Sequence, residues 1–222
     1  SSSLEPVTEN PRFEAELLLA YSLGITRSKL LSNLKDFITP SDKLYELISQ
    51  RLDEKPLAYI LGFTEFYSLK IFTEPPVFIP RPETELLVEK TLEIIEKIPN
   101  RELKILEPCT GSGCISIAIS KNAKKEVSII ATDISEIAIE LARKNTIFHS
   151  VNISFILSDL FSAFAPQHLF DIIVCNPPYV AYDEWLALSN SIKKYEDRDA
   201  LIGGDNGLKV IKNIITDARL YL

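Results

Sequence analysis

The chain has 222 residues, 46% of them apolar and 25% charged, a balance that suits one globular domain with a smaller companion and excludes a disordered chain. Its 24 basic and 31 acidic side chains leave a net charge of -7, so there is no broad cationic surface to draw in a phosphate backbone, and nucleic acid is a disfavoured partner. Three cysteines and two histidines are too few for a disulfide framework or a metal site, and the apolar runs fall far short of a membrane span.

Residues 11–52 carry helical spacing. Phe13, Leu17 and Tyr21 recur at i, i+4 and i+8, and Leu44, Leu47, Ile48 and Leu52 follow a start signal at Thr39-Pro40-Ser41-Asp42. A small helical domain over residues 1–58 is expected. Residues 59–80 change character, with Phe63, Phe66, Tyr67, Ile71, Phe72, Val77 and Phe78 interrupted by Pro75-Pro76, which predicts a short hairpin acting as a linker. Arg81 lies between two prolines and is pushed toward extended geometry, whereas Pro82 suits the first turn of a helix. That helix is expected to reach Ile98 with Leu87, Thr91, Ile94, Ile95 and Ile98 on one face. From there strands and helices alternate: a strand at 103–106, a helix from Cys114, a strand at 127–131, a helix at 135–145, and strands at 153–157 and 170–175. Near-continuous apolar strands separated by helices predict an α/β fold, a doubly wound and mostly parallel sheet over residues 81–222. Such sheets hold ligands outside the carboxyl ends of their strands.

Each strand end carries chemistry. The first ends in Glu107-Pro108-Cys109-Thr110-Gly111-Ser112-Gly113, where Gly111 and Gly113 allow a tight turn and close approach to a ligand. Alone, this is a weak signal, since a flexible strand-to-helix turn can look the same. A dinucleotide fingerprint would want a further glycine where the chain has Ser116. The second strand ends in Asp133, a carboxylate able to accept both hydroxyls of an adenosyl ribose, or to cap the following helix, a task Ser135 can also perform. The third ends in Asp159-Leu160, near where an adenine amino group would lie, or in a solvated turn. The fourth ends in Asn176-Pro177-Pro178-Tyr179. Two prolines remove two N–H donors and stiffen the loop, so it offers carbonyl acceptors in a rigid frame. A planar NH2 group can donate one hydrogen to the Asn176 side-chain oxygen and one to the Pro177 carbonyl while its plane packs on Tyr179. Such a nitrogen is a weak nucleophile, so positioning it before an electrophilic methyl group supplies most of the catalysis.

With those residues assembled, the chain resembles the HemK/PrmC family of protein-(glutamine-N5) methyltransferases over nearly its whole length. Asn-Pro-Pro-Tyr is shared with adenine-N6 enzymes, so a nucleic-acid amino methyltransferase is the alternative. More specific are Pro56-Leu57-Ala58-Tyr59-Ile60-Leu61-Gly62, Ile79-Pro80-Arg81-Pro82-Glu83-Thr84-Glu85, and Tyr195-Glu196 followed by Gly203-Gly204-Asp205-Asn206-Gly207-Leu208. The resemblance implies a Rossmann-like class I methyltransferase domain using S-adenosyl-L-methionine, with the glutamine of the Gly-Gly-Gln loop of class-one peptide chain release factors as substrate. It implies that Glu107, Thr110, Gly111, Gly113, Asp133, Asp159, Leu160 and Asn176 hold the cofactor, and that Asn176, Pro177, Pro178, Tyr179 and Arg81 hold the glutamine, with Asn176, Pro177 and Tyr179 catalytic. The helical domain would dock the release factor; neither metal nor membrane is involved. The family has glycine where this chain has Cys109, which predicts a less close approach to the cofactor. Cys109 and Cys114 read as packing residues. A Lys-Pro-Gly-Gly turn and the last strands of the sheet are expected beyond Leu222. With no basic-then-apolar leader, a cytoplasmic location is expected, or an organellar one if the true start precedes Ser1.

Overall fold

The structure, a computed structural model, describes residues 2–32, 41–99 and 101–222. Its N-terminal part packs α1 (Pro11–Ser22), α3 (Asp42–Leu52) and α4 (Leu57–Leu61) around Leu4, Leu18, Leu47, Ile60 and Leu61, with α2 (Arg27–Ser32) against α1. Ser41 caps α3, its hydroxyl accepting from the Leu44 N–H at 3.3 Å; the Thr39-Pro40 half of the expected start signal and the helical reading of residues 33–40 lie outside the described residues. The buried stripe of α1 differs from the expected one. Leu18 and Ala20 are inside, whereas Phe13 and Tyr21 face outward, each beneath a cation, Arg27 and Lys43 respectively. The run Leu17-Leu18-Leu19-Ala20 is apolar on every side of the helix, so spacing alone could not choose the buried face.

A hairpin follows. β1 (Phe63–Phe66) pairs antiparallel with β2 (Leu69–Phe72), and the turn places Tyr67 and Ser68 at positive φ. Phe66 and Ile71 sink into the core of the next part while Phe63 packs on the N-terminal cluster, so this short ribbon belongs to two cores at once. After a 3-10 turn at Pro82–Thr84, α5 (Glu85–Lys97) runs as expected. Its buried residues are Val88, Thr91 and Ile95; Ile94, placed on the inner face by spacing, is exposed instead.

The remaining elements are β3 (Leu103–Pro108), α6 (Cys114–Asn122), β4 (Val127–Asp133), α7 (Glu136–His149), β5 (Ile153–Leu157), β6 (Ile172–Ile173), α8 (Tyr182–Ala187), α9 (Asn190–Tyr195) and α10 (Lys209–Ala218). The sheet order is β5-β4-β3-β6, all pairs parallel. Strand alternation divides the apolar side chains between two layers. Leu103, Ile105, Ile129, Ala131 and Ile172 point to the layer containing α5 and α6, while Leu106, Ile130 and Ile173 point to Phe161, Phe170, Tyr221 and the inner side of α10. Helices on both faces of a parallel sheet form the expected doubly wound fold. The expected strand at 170–175 is a two-residue ladder, because Val174 donates once more to Leu106 and the chain then leaves the sheet at Cys175.

Candidate active site

The carboxyl ends of β3, β4, β5 and β6 open into a cleft of about 640 Å³. Thr110, Gly111, Asp133, Asp159, Leu160, Asn176, Pro177, Pro178 and Tyr179 line it, so residues drawn from four separate strand ends meet in one space. Parallel strands connected by crossover helices bring this about: every β-to-α turn emerges on the same edge.

Beneath the cleft, Glu107 is fully buried and reaches no surface. Its Oε2 accepts from the Thr110 hydroxyl at 2.9 Å, the Ser116 N–H at 3.1 Å and the Ser116 hydroxyl, which gives Ser116 a purpose that a glycine could not serve. Its Oε1 has no partner among the described residues. Burial pushes this carboxyl up to about 7, against the opposing pull of those hydrogen bonds. One loop further, Asp133 accepts from the Gly111 N–H at 2.8 Å through Oδ2 and from the Ser135 N–H at 3.0 Å through Oδ1, so each oxygen keeps a lone pair directed elsewhere. Ser135 does cap α7, its hydroxyl accepting from the Ala138 N–H at 3.3 Å.

The glycine turn is shaped by φ. Gly111 and Gly113 take φ of 55° and 78°, which favours glycine at both, and a Cβ on Gly113 would stand 3.1 Å from the Cβ of Ala142 on α7, so a side chain there would press the turn away from the helix. Gly113 therefore lies behind the cleft and does not line it. Asn145, absent from the expected site residues, is wholly buried and fastens the turn: its side-chain N–H groups donate to the carbonyls of Ser112 and Phe72, and its oxygen accepts from the Phe72 N–H at 2.7 Å. An Asn in a helical stretch with no local partner was the available signal.

The Asn176-Pro177-Pro178-Tyr179 loop is backed by residues 196–207. Val180 donates to Leu201, Gly203 donates to Val180, and a Cβ on Gly203 would lie 2.6 Å from the Pro178 carbonyl. The same segment is tied to the linker by Arg81, whose guanidinium meets the buried Glu196 carboxylate at 2.5 Å and stacks over Phe78. Arg81, expected to touch the substrate, does not line the cleft; its partners make it a clamp between linker and loop. Reading residue types missed Ile134, Asp197, Asp199 and Arg198, all of which line the cleft. Asp133, Asp159, Asp197 and Asp199 outnumber Arg198 and Lys209 around the space, which favours a cationic ligand.

Known proteins resemble this chain in sequence. A methyltransferase small domain matches residues 71–193 and a PrmC N-terminal domain matches residues 1–62. The release factor glutamine methyltransferase of Thermodesulfovibrio yellowstonii is 40% identical over 211 residues, covering 94% of this chain and 75% of its own. That of Lactococcus lactis subsp. lactis is 39% identical over 216 residues, covering 96% and 77%. The chain belongs to the release factor glutamine methyltransferase family. Koribacter versatilis supplies another member, 37% identical over 209 residues and 74% covered, so the chain spans about three quarters of these relatives. The family's cofactor is S-adenosyl-L-methionine, and the donor set fits a sulfonium nucleoside: a buried unpartnered carboxylate oxygen, a carboxylate with two free lone pairs, open backbone at Gly111 and more acidic than basic side chains around the space. No described helix is long and apolar enough to cross a membrane, and no described cluster of His, Cys, Asp or Glu has the makings of a metal site.

Proposed function

We propose that this protein methylates the side-chain amide nitrogen of the glutamine in the Gly-Gly-Gln loop of class-one peptide chain release factors. The observation that carries the reading is the Asn176-Pro177-Pro178-Tyr179 loop, standing at the mouth of the cleft in a chain whose relatives carry that name. S-adenosyl-L-methionine, when bound, supplies the electrophilic methyl group. Asp133 would accept from its ribose hydroxyls, Leu160 and Ile134 would wall its adenine with Asp159 near the amino edge, and the buried Glu107 carboxylate beneath the cleft would attract its positive charge. The Asn176 oxygen and the Pro177 carbonyl accept the two amide hydrogens, which fixes the nitrogen in one plane; the Tyr179 ring, more than half exposed, covers that plane. Orientation replaces the entropy of encounter, and the nitrogen gives up one of its two hydrogens as a proton to water once the bond to the methyl forms and makes that hydrogen acidic, so no strong base is called for. The N-terminal helices dock the release factor, and Arg81 with Glu196 keeps the linker and the loop in register.

The test is transfer of labelled methyl from S-adenosyl-L-methionine to a purified class-one release factor, beside its Gly-Gly-Ala variant and a duplex DNA. Label on the unaltered factor alone is the expected result. Label on the DNA would move the reading to a nucleic-acid amino group, and label on both forms of the factor would place the acceptor elsewhere than the glutamine.

A further inference from the structure

Two cysteines stand where β3 and β6 run out, and one of them, Cys109, lines the cleft. β3 and β6 are neighbours, with Leu106 paired to Ile173 and the Val174 N–H donating to the Leu106 carbonyl at 2.9 Å. Two residues further along lie Pro108 on β3 and Cys175 just past the end of β6, so Cys109, the residue after Pro108, and Cys175 are neighbours across adjoining strand ends, close enough for each thiol to feel the other's charge. Cys109 lines the cleft, and Cys175 immediately precedes Asn176. Cys109 also sits at φ 57°, a left-handed conformation that a glycine adopts freely and a cysteine adopts under strain. Backbone strain of this kind persists where surrounding structure enforces it, and it concentrates at working sites. The turn is indeed enforced, since the next N–H, of Thr110, donates to the Thr132 carbonyl at 3.0 Å. Cys114 differs: it is buried in the core, and burial pushes its thiol up to about 12, which leaves it inert.

We propose that Cys109 and Cys175 form a thiol–disulfide modification site, through which a small-molecule disulfide shuts the cofactor end of the cleft. Cys109, the thiol open to the cleft, attacks as its thiolate one sulfur of the small disulfide; the S–S bond breaks, and one small thiol leaves with the proton that Cys109 gave up. Cys175 then loses its proton to solvent and its sulfur displaces the second small thiol from Cys109. Two protein thiols are oxidised and one disulfide is reduced to two thiols, so electrons and protons balance. The neighbouring Cys109 thiol and burial hold Cys175 well above the usual thiol range, so this second step quickens as pH rises. The cross-link joins the start of the glycine turn to the residue before Asn176, and the intermediate adduct fills the space beside Gly111. This site is independent of which protein or nucleic acid accepts the methyl group.

The experiment incubates the full chain with oxidised glutathione, removes the excess, counts free thiols and adducts by intact mass, and titrates S-adenosyl-L-methionine calorimetrically. The expected result is loss of two thiols without retained glutathione, an affinity at least an order of magnitude weaker, recovery on reduction, and protection by cofactor added first. Cys175→Ser should instead keep one glutathione on Cys109, and Cys109→Gly should lose no affinity on oxidation, each compared with its own reduced sample. Three thiols surviving in the parent, a cross-link that leaves affinity unchanged, or a Cys109→Gly variant that still loses affinity would overturn the proposal.

Discussion

Glu107 shows how a single carboxylate can serve a cationic ligand while opposing the fold. It is buried with one oxygen fully bonded and the other bare, and burial raises it to about 7. A carboxyl that holds its proton more tightly when folded stabilises the protein below its ordinary value of 4.5, and that contribution is lost as pH climbs through about 7. Cofactor binding has the opposite slope, because the ionised oxygen attracts a sulfonium or ammonium charge and the protonated one does not. Affinity for S-adenosyl-L-methionine should therefore strengthen from about pH 6 to about pH 8, and Glu107→Gln should flatten the dependence. Calorimetric titrations across that range decide it, and a parent protein whose affinity is constant with pH would remove Glu107 from the site. Asn176 separates binding from chemistry differently. Asn176→Ala removes an acceptor at the reacting nitrogen and leaves Glu107 and Asp133 untouched, so the dissociation constant should hold while transfer to the release factor drops by orders of magnitude. Equal turnover by the variant would refute the role given to that oxygen.

At the scale of elements, the loop after β6 has no regular structure of its own and takes its shape from the segment behind it. A Cβ on Gly207 would lie 2.3 Å from the Tyr179 carbonyl, and the residue sits at φ 72°, so both space and backbone demand glycine there. Gly207→Ala should cost about 1–3 kcal/mol in stability through backbone strain and push Tyr179 out of place. The expected signature is near-normal cofactor binding with strongly reduced methyl transfer; normal transfer would show that the loop holds its form without this support. The glycines at 203, 204 and 207 were visible as a motif, yet nothing in their spacing reveals that Gly203 and Gly207 receive the carbonyls of Pro178 and Tyr179. The strand ends were legible for the opposite reason: a turn follows each apolar run within a residue or two, so Asp133, Asp159 and Asn176 could be placed by local pattern.

Across the whole molecule, what stayed hidden in the sequence is choice of partner at a distance. Arg81 finds Glu196 and Asn145 finds Phe72 across long stretches of chain, and no periodicity records such pairings. The same holds for the N-terminal helices, whose apolar face was misjudged at Phe13 and Tyr21 while their central ion pair went unseen. Arg51 on α3 meets Glu14 on α1 at 2.6 Å and donates to the Val7 carbonyl at 2.7 Å, with both side chains nearly out of water. Removing the cation strands a buried carboxylate, so Arg51→Met should destabilise the helical part by about 3–5 kcal/mol. Replacing both members, Arg51→Met with Glu14→Leu, removes the stranded charge and should recover most of that loss. Because the helical part and the sheet have separate cores joined by the β1–β2 ribbon, urea unfolding of the single variant should show the helices melting early while the sheet still binds S-adenosyl-L-methionine. A single cooperative transition shifted as a whole would mean instead that the ribbon, with Phe66 in one core and Phe63 on the other, couples the two parts into one folding unit, and a single variant as stable as the parent would mean that water already solvates the pair.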